Sequence, residues 1–313
     1  MAYNTGFCNS FTEIKSALIG HCLSNGWAQT TDSSGKDVIY KGDLYLKLEV
    51  LSYCFMLTGR TNINEGDSPM NVGVANFHAS YLGPIQFPVK YFYFTYSDID
   101  EVYFLINYAD KYQWFAFGKS NITLPGTGLW IAGTAGLPYL YSDIPERITM
   151  SVTGEVSWGR DISPGLFWPS AHTGRYPTYA AFVNYWLHSN INPSYPWALA
   201  LDNHTEYDPV GIKYLTTHLQ SQPNAFNQQS LLLPVLVYHV SQTYSGYYTL
   251  VAHIQKARHL MINYLDPETI IYHGSEQWMV FPYFRKVYQS PTTFSLQFAD
   301  HTGNFGWAIK KEA

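Results

Sequence analysis

Residues 101–117 read EVYFLINYADKYQWFAF. Two runs rich in aromatic and branched residues, Glu101 to Tyr108 and Tyr112 to Phe117, flank Ala109-Asp110-Lys111. A connection of that length between two such runs predicts an antiparallel hairpin. Upstream, Val89 to Tyr96 has the same character. Leu44 to Leu57 begins with Leu44, Leu46, Leu48 and Val50 alternating against Tyr45, Lys47 and Glu49, the period-two pattern of a long half-buried strand. Before these lies a helix signal. Ser10 and Glu13 have the spacing of a capping box, Phe11, Ile14, Leu18 and Cys22 recur at helical intervals, and Asn25-Gly26 stops the run. Residues 1–118 are therefore expected to form one short helix and an antiparallel sheet.

The pattern changes over 119–234. Glycines and prolines such as Gly126, Gly128, Gly133, Pro164, Pro169, Pro193 and Pro209 interrupt it too often for long regular elements, apart from a helix expected around Thr178 to Ser189. Five of the nine tryptophans, Trp130, Trp158, Trp168, Trp186 and Trp197, lie here, which argues for an ordered, loop-rich aromatic insertion over a disordered linker. From 235 to 313 strand patterns return: Val235 to Val240, Tyr247 to Ile254, Arg258 to Asn263, Thr269 to Tyr272, Gln277 to Phe281 and Phe305 to Ile309. His273-Gly274-Ser275-Glu276 reads as a turn with glycine where positive φ is cheap. The expected class is α+β, mainly β: an antiparallel meander or sandwich with a short N-terminal helix and an insertion, the C-terminal β region completing the first core.

Charged residues make up only 13% of the 313, while aromatics reach 17%, with 27 tyrosines. Soluble domains carry about 25% charged residues. Interface cores are enriched in aromatics and depleted of Lys, Glu and Asp, so the composition fits a subunit that lives against copies or partners. With 18 Lys+Arg against 23 Asp+Glu and no basic cluster, nucleic-acid binding is not expected. The N-terminus lacks a basic and apolar leader, and Leu231 to Val240 is too short to span a bilayer, so no membrane insertion is expected either. Cys8, Cys22 and Cys54 are read as buried free thiols rather than a disulfide framework.

Catalytic patterns are sparse. There is no Gly-x-Ser-x-Gly elbow, no His-Glu-x-x-His and no Cys-x-x-Cys, and His253 and His259 stand six residues apart; no metal or cofactor is expected, and the chain is not read as an enzyme. Two acidic groups could serve glycan chemistry, which needs paired carboxylates across a cleft. They are Asp98, Asp100 and Glu101 at a strand turn, and Asp202, Glu206 and Asp208 around His204. Trp168, Trp186 and Trp197 could stack on sugar rings. Solvated turn carboxylates explain the same residues more simply. Trp114, Phe117, Trp278 and Phe281 are expected as core residues or interface anchors.

A series of short motifs resembles structural proteins of tailed bacteriophages, in the tail or baseplate family. It runs through Leu23-Ser24-Asn25-Gly26-Trp27, Lys36 to Tyr40, Val102 to Asn107 with Tyr112 to Gly118, and Leu231 to Pro234. It continues with His253-Ile254, Ala257-Arg258, Trp278 to Pro282 with Arg285-Lys286, and His301 to Lys311. The stretch from about 125 to 225 carries none of it. The resemblance implies a virion structural protein, made in the host cytoplasm and located in the tail at the tip, baseplate or an adaptor ring. It implies self-association in a ring or threefold, packing against other tail proteins, and no catalytic residues. The alternative is a tail attachment protein binding a host-surface glycan, with a glycan hydrolase behind it.

Overall fold

The computed structural model describes residues 2–51, 54–64, 74–78, 85–123, 128–133, 186–187, 229–240, 248–262, 264–282, 286 and 305–312. The chain opens with β1 (Ala2–Cys8) and α1 (Phe11–Leu23). A meander follows: β2 (Ala28–Thr31), β3 (Asp37–Lys41), β4 (Leu44–Val50), β5 (Cys54–Arg60) and β6 (Val74–His78), paired in that order. A second meander comprises β7 (Val89–Tyr96), β8 (Glu101–Tyr108), β9 (Lys111–Lys119) and β10 (Leu129–Gly133), and β1 joins it beside β7. The third sheet uses β11 (Trp186–Leu187), β12 (Leu233–Val240), β13 (Tyr248–Met261), β14 (Ile270–His273), β15 (Glu276–Pro282) and β16 (Phe305–Lys311). Its order is β11-β12-β13-β16-β15-β14, and every pairing in the three sheets is antiparallel.

The helix starts where its cap residue says it should. Ser10 Oγ accepts the N–H of Glu13 at 3.2 Å. The Glu13 carboxylate reaches back one residue further than a capping box requires, accepting the backbone N–H of Asn9 at 2.7 Å. Gly26, at φ 85, lets the chain reverse after the last turn. The apolar stripe of Phe11, Ile14, Leu18, Ile19 and Cys22 is buried.

The β1-β7-β8-β9-β10 sheet is the middle of three layers. One of its faces, with Tyr93, Val102, Phe104, Ile106, Phe115 and Phe117, packs against α1 and against Ile39, Leu46, Leu48, Phe55 and Leu57 of the first meander. The opposite face, with Phe92, Phe94, Tyr103, Leu105, Trp114 and Ala116, packs against Val235, Ile254, Met279, Phe281, Trp307 and Ile309 of the third sheet. This is why residues 101–117 lack polar alternation: a sheet covered on both sides reads as a continuous apolar run. A smaller cluster of Leu260, Ile262, Trp278, Val280 and Ala308 lies apart from these two.

Several expectations are corrected. Leu44 to Leu57 is a hairpin, β4 and β5 pairing Val50 with Phe55, rather than one strand. The apolar run crosses the turn without Gly, Pro or Asn to mark it. Conversely, Tyr247 to Ile254 and Arg258 to Asn263 merge into the single long β13, because the polar residues between them form a bulge. Of the helix expected at 178–189, Trp186 and Leu187 instead form β11, opposite Tyr238 and Val237; the other ten residues lie outside the described set. The boundary expected after 118 cuts the central sheet, since β10 pairs Leu129 to Gly133 with Lys119 to Phe115.

Candidate functional site

The most elaborate polar site among the described residues joins the central sheet to the third. Between β12 and β13, Pro234 faces Arg258 while its neighbour Val235 faces Ile254, so Gln255, Lys256 and Ala257 bulge away from β12. A bulge exposes backbone groups that need partners, and here side chains supply them. Glu101, at the start of β8 and only 3% exposed, accepts the N–H of Gln255 at 2.8 Å on one carboxylate oxygen. Its other oxygen accepts the N–H of Lys256 at 3.0 Å and the Tyr103 hydroxyl at 2.7 Å. The carbonyls turn the other way, and Arg258 Nη1 donates to Gln255 at 2.8 Å and to Ala257 at 2.8 Å. The Arg258 guanidinium also lies 5.3 Å from the Trp278 ring. Burial raises the Glu101 pKa above its ordinary value, and the N–H of Gln255 leads the hydrogen bonds that act against that rise. Burial, with the Glu101 charge second, likewise pushes the Tyr103 hydroxyl far up, which keeps it a donor.

Two further contacts tie the same layers. The Asn121 side chain imitates a strand, accepting the N–H of His253 at 3.0 Å and donating to its carbonyl at 3.0 Å. Glu268 accepts from Lys90 at 2.6 Å and from the Tyr112 hydroxyl at 2.9 Å.

The carboxylates of the acidic trio weighed for glycan chemistry are each engaged by partners within the chain. Asp98 lies 3.5 Å from Lys256, Asp100 pairs with Lys41 at 2.5 Å, and Glu101 is occupied by the bulge. Asp202, Glu206, Asp208, His204, Trp168 and Trp197 lie outside the described residues, and of Trp186 only the backbone is described. Trp114, Phe117, Trp278 and Phe281 are all buried within the chain. Phe281 meets Phe92 at 5.1 Å, Tyr112 at 5.9 Å and Phe94 at 6.0 Å, while Trp114 meets Trp307 at 4.4 Å. Phe117 packs edge-on to Trp27 at 5.4 Å.

Cys8 and Cys22 are free and buried; burial pushes their thiols up to about 11 and about 12, far from the depressed values of a nucleophile. The side chain of Cys54 is not among those described. Among the described residues no three His, Cys, Asp or Glu side chains gather as a metal site requires, and no helix is long and apolar enough to cross a membrane. The arrangement can therefore dock layers and hold a rigid shape. Sequence reasoning missed Arg258, Asn121 and Glu268. For Glu101 a signal existed: a single charge heading an otherwise apolar strand.

Compared with known proteins, the chain matches no family model and no curated protein sequence.

Proposed function

We propose that the chain is a structural subunit of a bacteriophage tail, at the tip, the baseplate or an adaptor ring, and that it works by self-association and by packing against other tail proteins. The observation that carries this reading is the ordered series of motifs from Leu23-Ser24-Asn25-Gly26-Trp27 to His301 to Lys311, which resembles that family along both ends of one chain. Two features support it. A chain with 13% charged and 17% aromatic residues suits a life among neighbours. The described residues also leave large aromatics in solvent, with Phe7 69%, Tyr264 81% and Tyr272 65% exposed. Such residues are ready anchors for a partner surface. No catalytic role is part of the proposal.

Immunogold labelling of purified virions of the encoding phage tests it. The epitope should be the exposed turn Ser33-Ser34-Gly35, because Gly306 to Ile309 near the C-terminus are buried and out of reach of an antibody. Label on the tail, with the protein found in virions by mass spectrometry, is expected. Virions that lack the protein by both measurements would overturn the reading.

A further inference from the structure

Among the described residues no strand lies on the outer side of β1, and that edge combines features that the other sheet edges lack. Six strands end the three sheets: β1 and β10, β2 and β6, β11 and β14. Natural sheets blunt their edges with short strands, charges, prolines or bulges. Four of the six have four or five residues, and β11 has two. β1 has seven, Ala-Tyr-Asn-Thr-Gly-Phe-Cys, with no charge and no proline. It pairs with β7 in unbroken one-to-one register from Ala2 opposite Thr95 to Cys8 opposite Val89, so no bulge twists its outer side away. Even Gly6, which would weaken a strand, is braced: the Tyr91 ring covers it, 2.8 Å from where a β-carbon would sit.

The side chains of β1 point to a self-complementary partner. Tyr3, Thr5 and Phe7 share one face by the period of two. Tyr3 packs against Phe94 at 4.9 Å, with Lys311 Nζ 4.9 Å over its ring, whereas Phe7 is 69% exposed. Thr5 is the centre of the seven residues. An antiparallel neighbour related by a two-fold axis through Thr5 would set each Phe7 opposite the other copy's Tyr3, covering both rings at once.

We infer that β1 pairs with β1 of a second copy of this chain, antiparallel about a two-fold axis at Thr5, joining two five-stranded central sheets into one of ten. The inference rests on the β1 edge alone and stands independently of the tail reading. A charge swap at Thr5, an exposed position, tests it on the full chain. Thr5→Lys and Thr5→Glu each place like charges across the axis. Each variant alone is expected to halve the mass seen by sedimentation velocity, with unchanged far-ultraviolet circular dichroism; both lose the Thr5 hydroxyl's bond to the Tyr91 carbonyl, so a slightly lower melting temperature is expected of each alike. An equimolar mixture of the two is expected to restore the full mass. A wild-type chain that stays monomeric up to its solubility limit, or an assembly whose mass neither variant changes, would overturn the pairing. Variants that dissociate but fail to recover on mixing would overturn the two-fold register.

Discussion

The Glu101 carboxylate accepts the backbone N–H of Gln255, 154 residues further along the chain, at 2.8 Å. One acidic side chain on the central sheet thus holds the bulge of the sheet that covers it. Buried donors left without partners cost about 1–3 kcal/mol each. Glu101→Ala strands two backbone N–H groups and the Tyr103 hydroxyl, and is expected to destabilise the fold by about 3 kcal/mol or more in urea titrations. Glu101→Gln keeps one acceptor and turns an amide donor toward the others, so its loss should be smaller but still above about 1 kcal/mol. A neutral result for both would refute the clamp.

Acid stability should depend on the β2–β3 turn. The hydroxyl of Ser34 and the N–H of Lys36 hold the Asp32 carboxyl down, from 3.8 to about 2, with Arg60 adding its charge at 3.0 Å. A depressed carboxyl contributes stability that is complete above its unfolded value and is lost as the pH falls through its folded one. Wild-type protein is therefore expected to lose this contribution between about pH 4 and pH 2. Asp32→Asn should flatten that part of the curve of melting temperature against pH. An identical acid limb in the variant would be evidence against it.

Ala109, at φ 53, occupies a left-handed conformation in the β8–β9 hairpin. That region costs an L-residue about 1–2 kcal/mol, and glycine enters it without penalty at the expense of a more flexible unfolded chain. Ala109→Gly should stabilise the protein by about 0.5–1 kcal/mol, visible as a raised melting temperature.

Gly306 answers a different need. A β-carbon there would collide with the carbonyl oxygen of Phe281 on the adjacent strand, a backbone atom that cannot turn aside. Gly306→Ala is expected to destabilise by about 2–3 kcal/mol by prising β15 from β16. Gly118, whose β-carbon would meet the Asp100 carbonyl at 2.6 Å, offers a second test of the same kind.

Trp114 and Trp307 bring the central and third sheets together at 4.4 Å between ring centroids. Replacing each singly and both together by Leu, which removes the ring, forms a double-mutant cycle. A coupling of about 0.5–1.5 kcal/mol is expected for a direct aromatic contact. Additive effects would mean the rings merely fill space.

Where periodicity and local chemistry agreed, sequence and structure coincide. Ser10 caps α1, the β8–β9 hairpin turns at Ala109 and Asp110, and Gly274, at φ 61, turns β14 into β15. The layering was not legible, because burial on one face and on both faces differ only in which distant strand arrives, and Trp307 is far from Trp114 in sequence. β1 was missed for a related reason: Asn4 and Gly6 carry little strand propensity and interrupt the pattern, and tertiary pairing with β7 overrides it. The bulge at Gln255 to Ala257 read as an interruption because its partner, Glu101, lies in another sheet. Of the candidate residues, Trp114, Phe117, Trp278 and Phe281 were read as core residues or interface anchors and lie buried within the chain, while the polar ties between layers were not legible, since each depends on one side chain meeting one group across the fold.

The strand order β13-β16-β15 has a consequence for how the chain is made. β16 is inserted between two strands that leave the ribosome before it, so the third sheet cannot close until translation has passed residue 311. Until then the face bearing Phe92, Phe94, Tyr103 and Trp114 lacks Trp307 and Ile309 as cover. Nascent chains crowded on one polysome would meet through that sticky face. Expression should therefore reward slow synthesis, low temperature or a chaperone that shields aromatic surface, and products of premature termination should collect in the insoluble fraction.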